Sequence, residues 1–181
     1  MTGRLPAGVA ILDLVPNRDR RGIFTELYRE SWGVPDRFPQ WNLVLSNAGV
    51  LRGVHIHRRH ADYLLVAQGR VTFNLKDLRS GSPTEGLTCA IEMKGAPSQV
   101  LYIPMGIAHG FYFHEQSIHV YAVSDYWNMA DELGCRFDDP ELGMNWPDYS
   151  PILSERDENL PPLTEIIDLI PSYSQPAGQP L

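Results

Sequence analysis

His55 and His57 stand one residue apart in LRGVHIH (Leu51–His57), Asp62 follows closely, and His109 lies in IPMGIAHGF (Ile103–Phe111). Successive side chains of an extended strand point to opposite faces, so His55 and His57 share one face while Val54 and Ile56 share the other. Three imidazoles and a carboxylate gathered inside a small β-barrel support two kinds of chemistry. They can transfer protons near neutral pH, or they can hold a divalent metal.

The elements that must position these residues read as short strands. Turn signals recur at short intervals: Pro16-Asn17, Gly33, Asn47-Ala48-Gly49, Gly69, Ser80-Gly81-Ser82-Pro83 and Lys94-Gly95-Ala96-Pro97. Alternation is clearest in Val71-Thr72-Phe73-Asn74-Leu75, where Val71, Phe73 and Leu75 fall on one face, and again from Cys89 to Met93. Further strands read at Val9–Leu14, Gly22–Tyr28, Trp41–Ser46, Tyr63–Gln68, Gln99–Ile103, Gly110–Phe113 and Ile118–Ser124. Helical signals are short, at Asn128–Glu132 and Leu163–Ile170. Fifteen glycines and fifteen prolines suit a turn-dense all-β domain of jelly-roll type.

The 181 residues, 43% of them hydrophobic, suffice for one domain with one core, expected over about residues 8–157, with a mobile tail over 171–181. A formal net charge of −7 argues against nucleic acid as a partner, because a phosphate backbone calls for a basic face. The apolar runs are too short to span a bilayer and the first residues lack a signal-peptide core, so the expected location is the cytoplasm. Cys89 and Cys135 have no metal-site spacing and read as small buried hydrophobes.

Five segments occur in the order of one known family: RGIFTELY (Arg21–Tyr28), VLRGVH (Val50–His55), DLRSGSPTEG (Asp77–Gly86), IPMGIAHGF and FDDPELGMNWP (Phe137–Pro147). On these the chain resembles the dTDP-4-dehydrorhamnose 3,5-epimerase (RmlC-like) family of cupins from about Arg21 to Asp157. The resemblance implies a cupin, or double-stranded β-helix, barrel with short C-terminal helical segments. It implies an isomerase that inverts C3, C5 or both of a nucleotide-activated 4-keto-6-deoxyhexose through an enolate, with no cofactor. Carried onto this sequence, the base is His55, the carboxylate orienting it Asp157, and the acid on the opposite face Tyr121. Arg21 and Arg52 fall at diphosphate positions, Glu26, Gln40, Asn42 and Glu132 at polar positions around sugar and base, and Phe24, Tyr126 or Trp127 at positions that stack on the nucleotide. Phe24 also reads as partly structural, as a core aromatic. The family's first strands commonly complete a neighbour's sheet, which implies a homodimer.

The sequence departs from that pattern where it matters for charge. Asp62 stands where the family has a lysine that stabilises the enolate oxygen, His57 stands where glutamine is common, and Gln99 where many members have arginine. A protonated His57, or Arg52, is then the expected replacement cation, with Asp62 supporting the imidazolium and His109 beside it. A metal reading takes the same departures another way. Gly49, His55, His57, Asp62 and Gly69 reproduce the spacing of the general cupin metal motif with aspartate for glutamate, and His109 supplies part of the second motif. One divalent transition metal on His55, His57, Asp62 and His109, serving an oxygenase or isomerase, is the alternative, and a catalytically silent sugar-nucleotide binder is a third reading. His60 reads as a solvated loop residue, Arg58-Arg59 as surface charge or a phosphate-side rim, and His119 as a satisfied strand histidine facing away from Ile118 and Val120.

Overall fold

The computed structural model describes residues 4–95 and 98–174. Strands β1 (Ala10–Asp13), β4 (Gln40–Ser46), β6 (Asp62–Gln68), β9 (Gln99–Ile103) and β11 (Ser117–Val123) form one sheet in the order β1-β9-β6-β11-β4. Strands β5 (Leu51–His57), β7 (Arg70–Asp77), β8 (Thr88–Lys94), β10 (Ile107–Phe113) and β12 (Glu132–Gly134) form the facing sheet in the order β12-β5-β10-β7-β8. The ladders within both sheets are antiparallel, and β2 (Pro16–Asp19) and β3 (Gly22–Thr25) make a separate hairpin. This is the expected jelly roll.

Alternation explains where each strand buries its side chains. Val71, Phe73 and Leu75 point into the barrel with Leu64, Val66, Leu101 and Phe113 and fill one end of it. Tyr63 and Leu65, the odd members of β6, point outward and are covered by Leu14, Phe38, Val100 and Tyr102. Both faces of β6 are therefore buried, which is why its sequence is an almost unbroken apolar run. Each fully buried Leu or Phe contributes roughly 1.5–3 kcal/mol.

The outer face of the second sheet is covered by the chain's own C-terminal part. Val54, Ile56, Ala108 and Tyr112 pack against Cys135, Leu142, Trp146, Leu163 and Ile166. The core therefore runs past the expected limit at 157. The helical signal at Leu163–Ile170 resolves into two 3-10 turns, Leu163–Glu165 and Ile167–Leu169, separated by Ile166 at φ −117°. Burying Leu163 and Ile166 on the sheet takes precedence over a continuous helix. The Asn128–Glu132 signal likewise shortens to a 3-10 turn, Met129–Asp131, capped by the Asn128 side chain, and Glu132 leaves it to pair with His57 as the first residue of β12. Helix α1 (Glu155–Glu158) forms instead inside a charge run, because the Ser154 side chain accepts from the Asp157 amide and caps it.

The tail is docked at least as far as Tyr173: its amide donates to the Ser80 carbonyl and the Arg79 guanidinium lies 5.0 Å from its ring centre. The expected mobility of the final segment otherwise falls on 175–181, outside the described residues, as do Ala96 and Pro97 of the expected turn. Cys135 is buried as expected, whereas Cys89 is only half-buried.

Candidate active site

A bulge in β5 sets the site. His55 pairs with His109 across the ladder, but Arg52 pairs with Phe111, so Gly53 and Val54 together face the single residue Gly110. The extra residue reverses the alternation: Arg52, His55 and His57 all reach a cavity of about 290 Å³, while Leu51, Val54 and Ile56 turn to the outer core. Strict alternation would have put Arg52 on the other side. The same cavity receives Asp62 from β6, His109 from β10, His119 and Tyr121 from β11, Glu132 from β12 and Asp157 from α1.

His55 and Asp157, 102 residues apart, meet with Nε2 2.7 Å from Oδ1. The other Asp157 oxygen accepts from the Gly53 amide at 3.3 Å, and the carboxylate is 5% exposed. A carboxylate there fixes the tautomer with the proton on Nε2 and leaves Nδ1 as the basic nitrogen. Burial lowers the His55 pKa from its ordinary value, against the opposing pull of Asp157, so the ring is neutral and able to accept a proton. Asp157 stays below the usual carboxylate range because His55, the Gly53 amide and Ser154 outweigh its burial.

Beside this pair lies a denser cluster. His57 Nε2 is 3.1 Å from Asp62 Oδ2, and its Nδ1 is 2.9 Å from Glu132 Oε1, off the line a hydrogen bond requires. Burial opposes charge on His57, but Asp62 and Glu132 outweigh it and push the group up to about 10. His109 Nε2 is 3.3 Å from the same Asp62 oxygen, and its Nδ1 is 3.0 Å from the Ile107 carbonyl. Despite burial, His57 and His109 hold Asp62 well below the usual carboxylate range. Both His57 nitrogens face carboxylates, so the expected imidazolium is paired with Asp62 and Glu132.

Tyr121 stays protonated, its pKa raised by burial and then by the charges of Asp62 and Glu132. Arg52 spends its Nε on Ser46 Oγ at 3.0 Å, which leaves the guanidinium's outer nitrogens for a ligand.

Two readings of histidines are corrected. His60 is not solvated: it is 3% exposed, stacks on His57 with ring centres 4.0 Å apart and borders the cavity. His119 does face away from Ile118 and Val120, but into the cavity, and its Nδ1 has no hydrogen-bond partner among the described residues. Burial pushes it down to about 4. Its place two residues before Tyr121 on one strand was the signal for it; His60 had none, because its direction depends on the turn after His57. Arg156 and Ser154 also line the cavity without having been singled out.

The alternative metal set does not assemble as expected. His55 is engaged by Asp157, and His60 and Glu132 stand beside His57 and Asp62 instead. Trp127 and Glu132 reach the cavity, whereas Gln40 and Asn42 hydrogen-bond to each other on the inward face of β4, and Gln40 Oε1 accepts from the Trp127 amide. Tyr126 is exposed outside it. Arg21, Phe24 and Glu26 do not reach this chain's own cavity: Arg21 pairs with Asp19, Glu26 with Arg29, and Phe24 is 65% exposed on the hairpin rather than part of the core. Gln99 donates to Asp13 at the sheet edge.

A jelly-roll barrel that encloses a His–Asp pair and a protonated tyrosine in one cavity has the parts for proton transfer to and from a bound ligand. The family described as dTDP-4-dehydrorhamnose 3,5-epimerase matches residues 6–165, and the chain belongs to that family. It is 33% identical to a dTDP-4-dehydrorhamnose 3-epimerase of Streptomyces niveus, covering 93% of this chain and 88% of that one. It is 38% identical to a dTDP-4-dehydrorhamnose 3,5-epimerase of Pseudomonas aeruginosa, covering 77% and 82%. Among solved structures, the dTDP-6-deoxy-D-glucose-3,5-epimerase of Legionella pneumophila in complex with dTDP-4-keto-L-rhamnose superposes with a TM-score of 0.85 at 31% identity, covering 93% and 95%. A 3'-monoepimerase of Streptomyces bikiniensis in complex with dTDP-quinovose gives 0.84 at 32% identity, covering 96% and 93%.

Proposed function

We propose that the chain epimerises a dTDP-activated 4-keto-6-deoxyhexose at C3, C5 or both. The observation that carries this reading is the His55–Asp157 pair at 2.7 Å, sharing a cavity with Tyr121. His55 Nδ1 takes the proton from the carbon beside the ketone, the C–H electron pair moves into the enolate, and Asp157 stabilises the imidazolium. The Tyr121 hydroxyl returns a proton to the same carbon, after which the His55 imidazolium gives its proton to solvent and solvent reprotonates the tyrosinate. His55 lies on β5 and Tyr121 on β11, strands of facing sheets, which suits attack on the two sides of one ring. These transfers use side chains alone. Arg52 is assigned to the diphosphate, and Trp127 to the nucleotide at the rim.

The same reading makes the protein a homodimer acting in the cytoplasm. Ile23 and Phe24 on the β2–β3 hairpin and Trp41, Leu43 and Leu45 on the outward face of edge strand β4 are exposed. A second copy would cover apolar surface of that kind, and its hairpin is the means of bringing Arg21, Phe24 and Glu26 to a cavity. No described helix is long and apolar enough to cross a membrane.

The test is deuterium wash-in from solvent into a dTDP-4-keto-6-deoxyhexose, read at C3 and C5 by NMR. The expected result is exchange in the native enzyme and a fall of roughly 10²–10⁴-fold in His55→Ala. Equal exchange in the two proteins, or none in either, removes the reading.

A further inference from the structure

We infer that His57, His60 and Asp62, with Glu132 beside them, form a binding site for one first-row divalent transition-metal ion, lying against the cavity assigned above to proton transfer. His57 Nδ1, His60 Nε2, Asp62 Oδ1 and Glu132 Oε1 are all buried and have no hydrogen-bond partner among the described residues. The His57 imidazolium faces both carboxylates, yet none of these four atoms makes a well-aligned hydrogen bond, and an ion that displaces the His57 proton gives them a partner. Three of these residues, His57, His60 and Asp62, are spaced as ligands of one ion are. Glu132 Oε1 is 2.9 Å from His57 Nδ1 and 3.7 Å from His60 Nε2, which is 3.9 Å from Asp62 Oδ1. Donors each about 2 Å from a shared ion stand roughly 3–4 Å apart. Donor atoms of His57, His60 and Asp62 all lie within 4.8 Å of one another.

The donor set chooses the ion class. Two imidazoles with a carboxylate, and a second carboxylate beside them, suit Zn(II), Mn(II), Fe(II), Co(II) or Ni(II) rather than calcium, which takes six or more oxygens. His109 stands behind the site, where it holds the other Asp62 oxygen at 3.3 Å and is itself fixed by the Ile107 carbonyl at 3.0 Å, the kind of support that orients a ligating carboxylate. The ion restores a positive charge to a cavity wall on which Asp62 and Glu132 are both acidic. That role rests on the epimerase reading; the site itself does not.

The experiment is direct. The full-length protein is stripped with a chelator and titrated with Zn(II) and, separately, Mn(II), without sugar nucleotide. Stoichiometry is read by calorimetry and elemental analysis, and thermal stability alongside. One ion per chain and a raised melting temperature are expected, with at least about a tenfold weaker affinity in His60→Ala and unchanged binding in His114→Ala, whose imidazole lies outside the cluster. No saturable binding by the native chain, or equal binding by native protein and His60→Ala, overturns the site. Deuterium wash-in in the stripped protein is scored separately, so loss of the metal site and loss of the epimerase reading are distinguishable.

Discussion

Gly53 has no room for a β-carbon, which would sit 2.8 Å from both the Gly110 Cα and the His109 carbonyl oxygen. Its φ of 122° is also one that other residues rarely adopt, and its amide anchors Asp157. Gly53→Ala is therefore expected to cost about 2 kcal/mol or more in denaturant unfolding and to lower kcat through misplacement of the His55–Asp157 pair. Asp157→Asn tests orientation alone. An amide can present its NH₂ to Nε2 and favour the wrong tautomer, so kcat is expected to fall by roughly 10²–10⁴-fold with KM little changed, measured by initial rates. A matching rise in KM would assign Asp157 to binding instead.

At the scale of elements, the end of β7 is tied to the loop that follows it. Asp77, fully buried, accepts two bonds from Arg79 at 2.8 Å and one each from Ser82 and Thr84 at 2.6 Å, and Thr84 Oγ1 accepts the Ala7 amide at 2.7 Å. These bonds outweigh burial and hold the Asp77 carboxyl below the usual carboxylate range. A lowered folded value means the group's contribution is complete above its unfolded pKa of about 3.9 and is lost as the pH falls through the folded value. Asp77→Asn leaves the buried Arg79 charge without its partner and is expected to lose about 3 kcal/mol at pH 7. That difference should shrink in urea titrations carried out progressively below pH 4; a constant difference would mean that Asp77 carries no pH-linked stability.

For the whole molecule, the outward apolar stripe of β4 and the exposed hairpin argue for a second copy. Leu43 and Leu45 are 65% and 61% exposed, more than a lone soluble barrel gains from displaying on an edge strand. Leu43→Asp with Leu45→Asp is expected to give a monomer by light scattering, with the melting temperature of the isolated fold little altered and turnover strongly reduced. A double variant that stays dimeric places the interface elsewhere.

Period and turn chemistry determined most of the fold: the strands, the inward set Val71, Phe73 and Leu75, and the common face of His55 and His57 were legible because alternation is a local property. The roles of His55, Asp157 and Tyr121 came from resemblance, since no local rule joins residues 102 apart. Only the tertiary structure decided that a bulge at Gly53 turns Arg52 inward, that His60 and His119 enter the cavity, and that Leu163 and Ile166 extend the core. Each of those depends on which surface a turn or a register shift delivers a side chain to, and that is set by long-range packing rather than by neighbours in sequence.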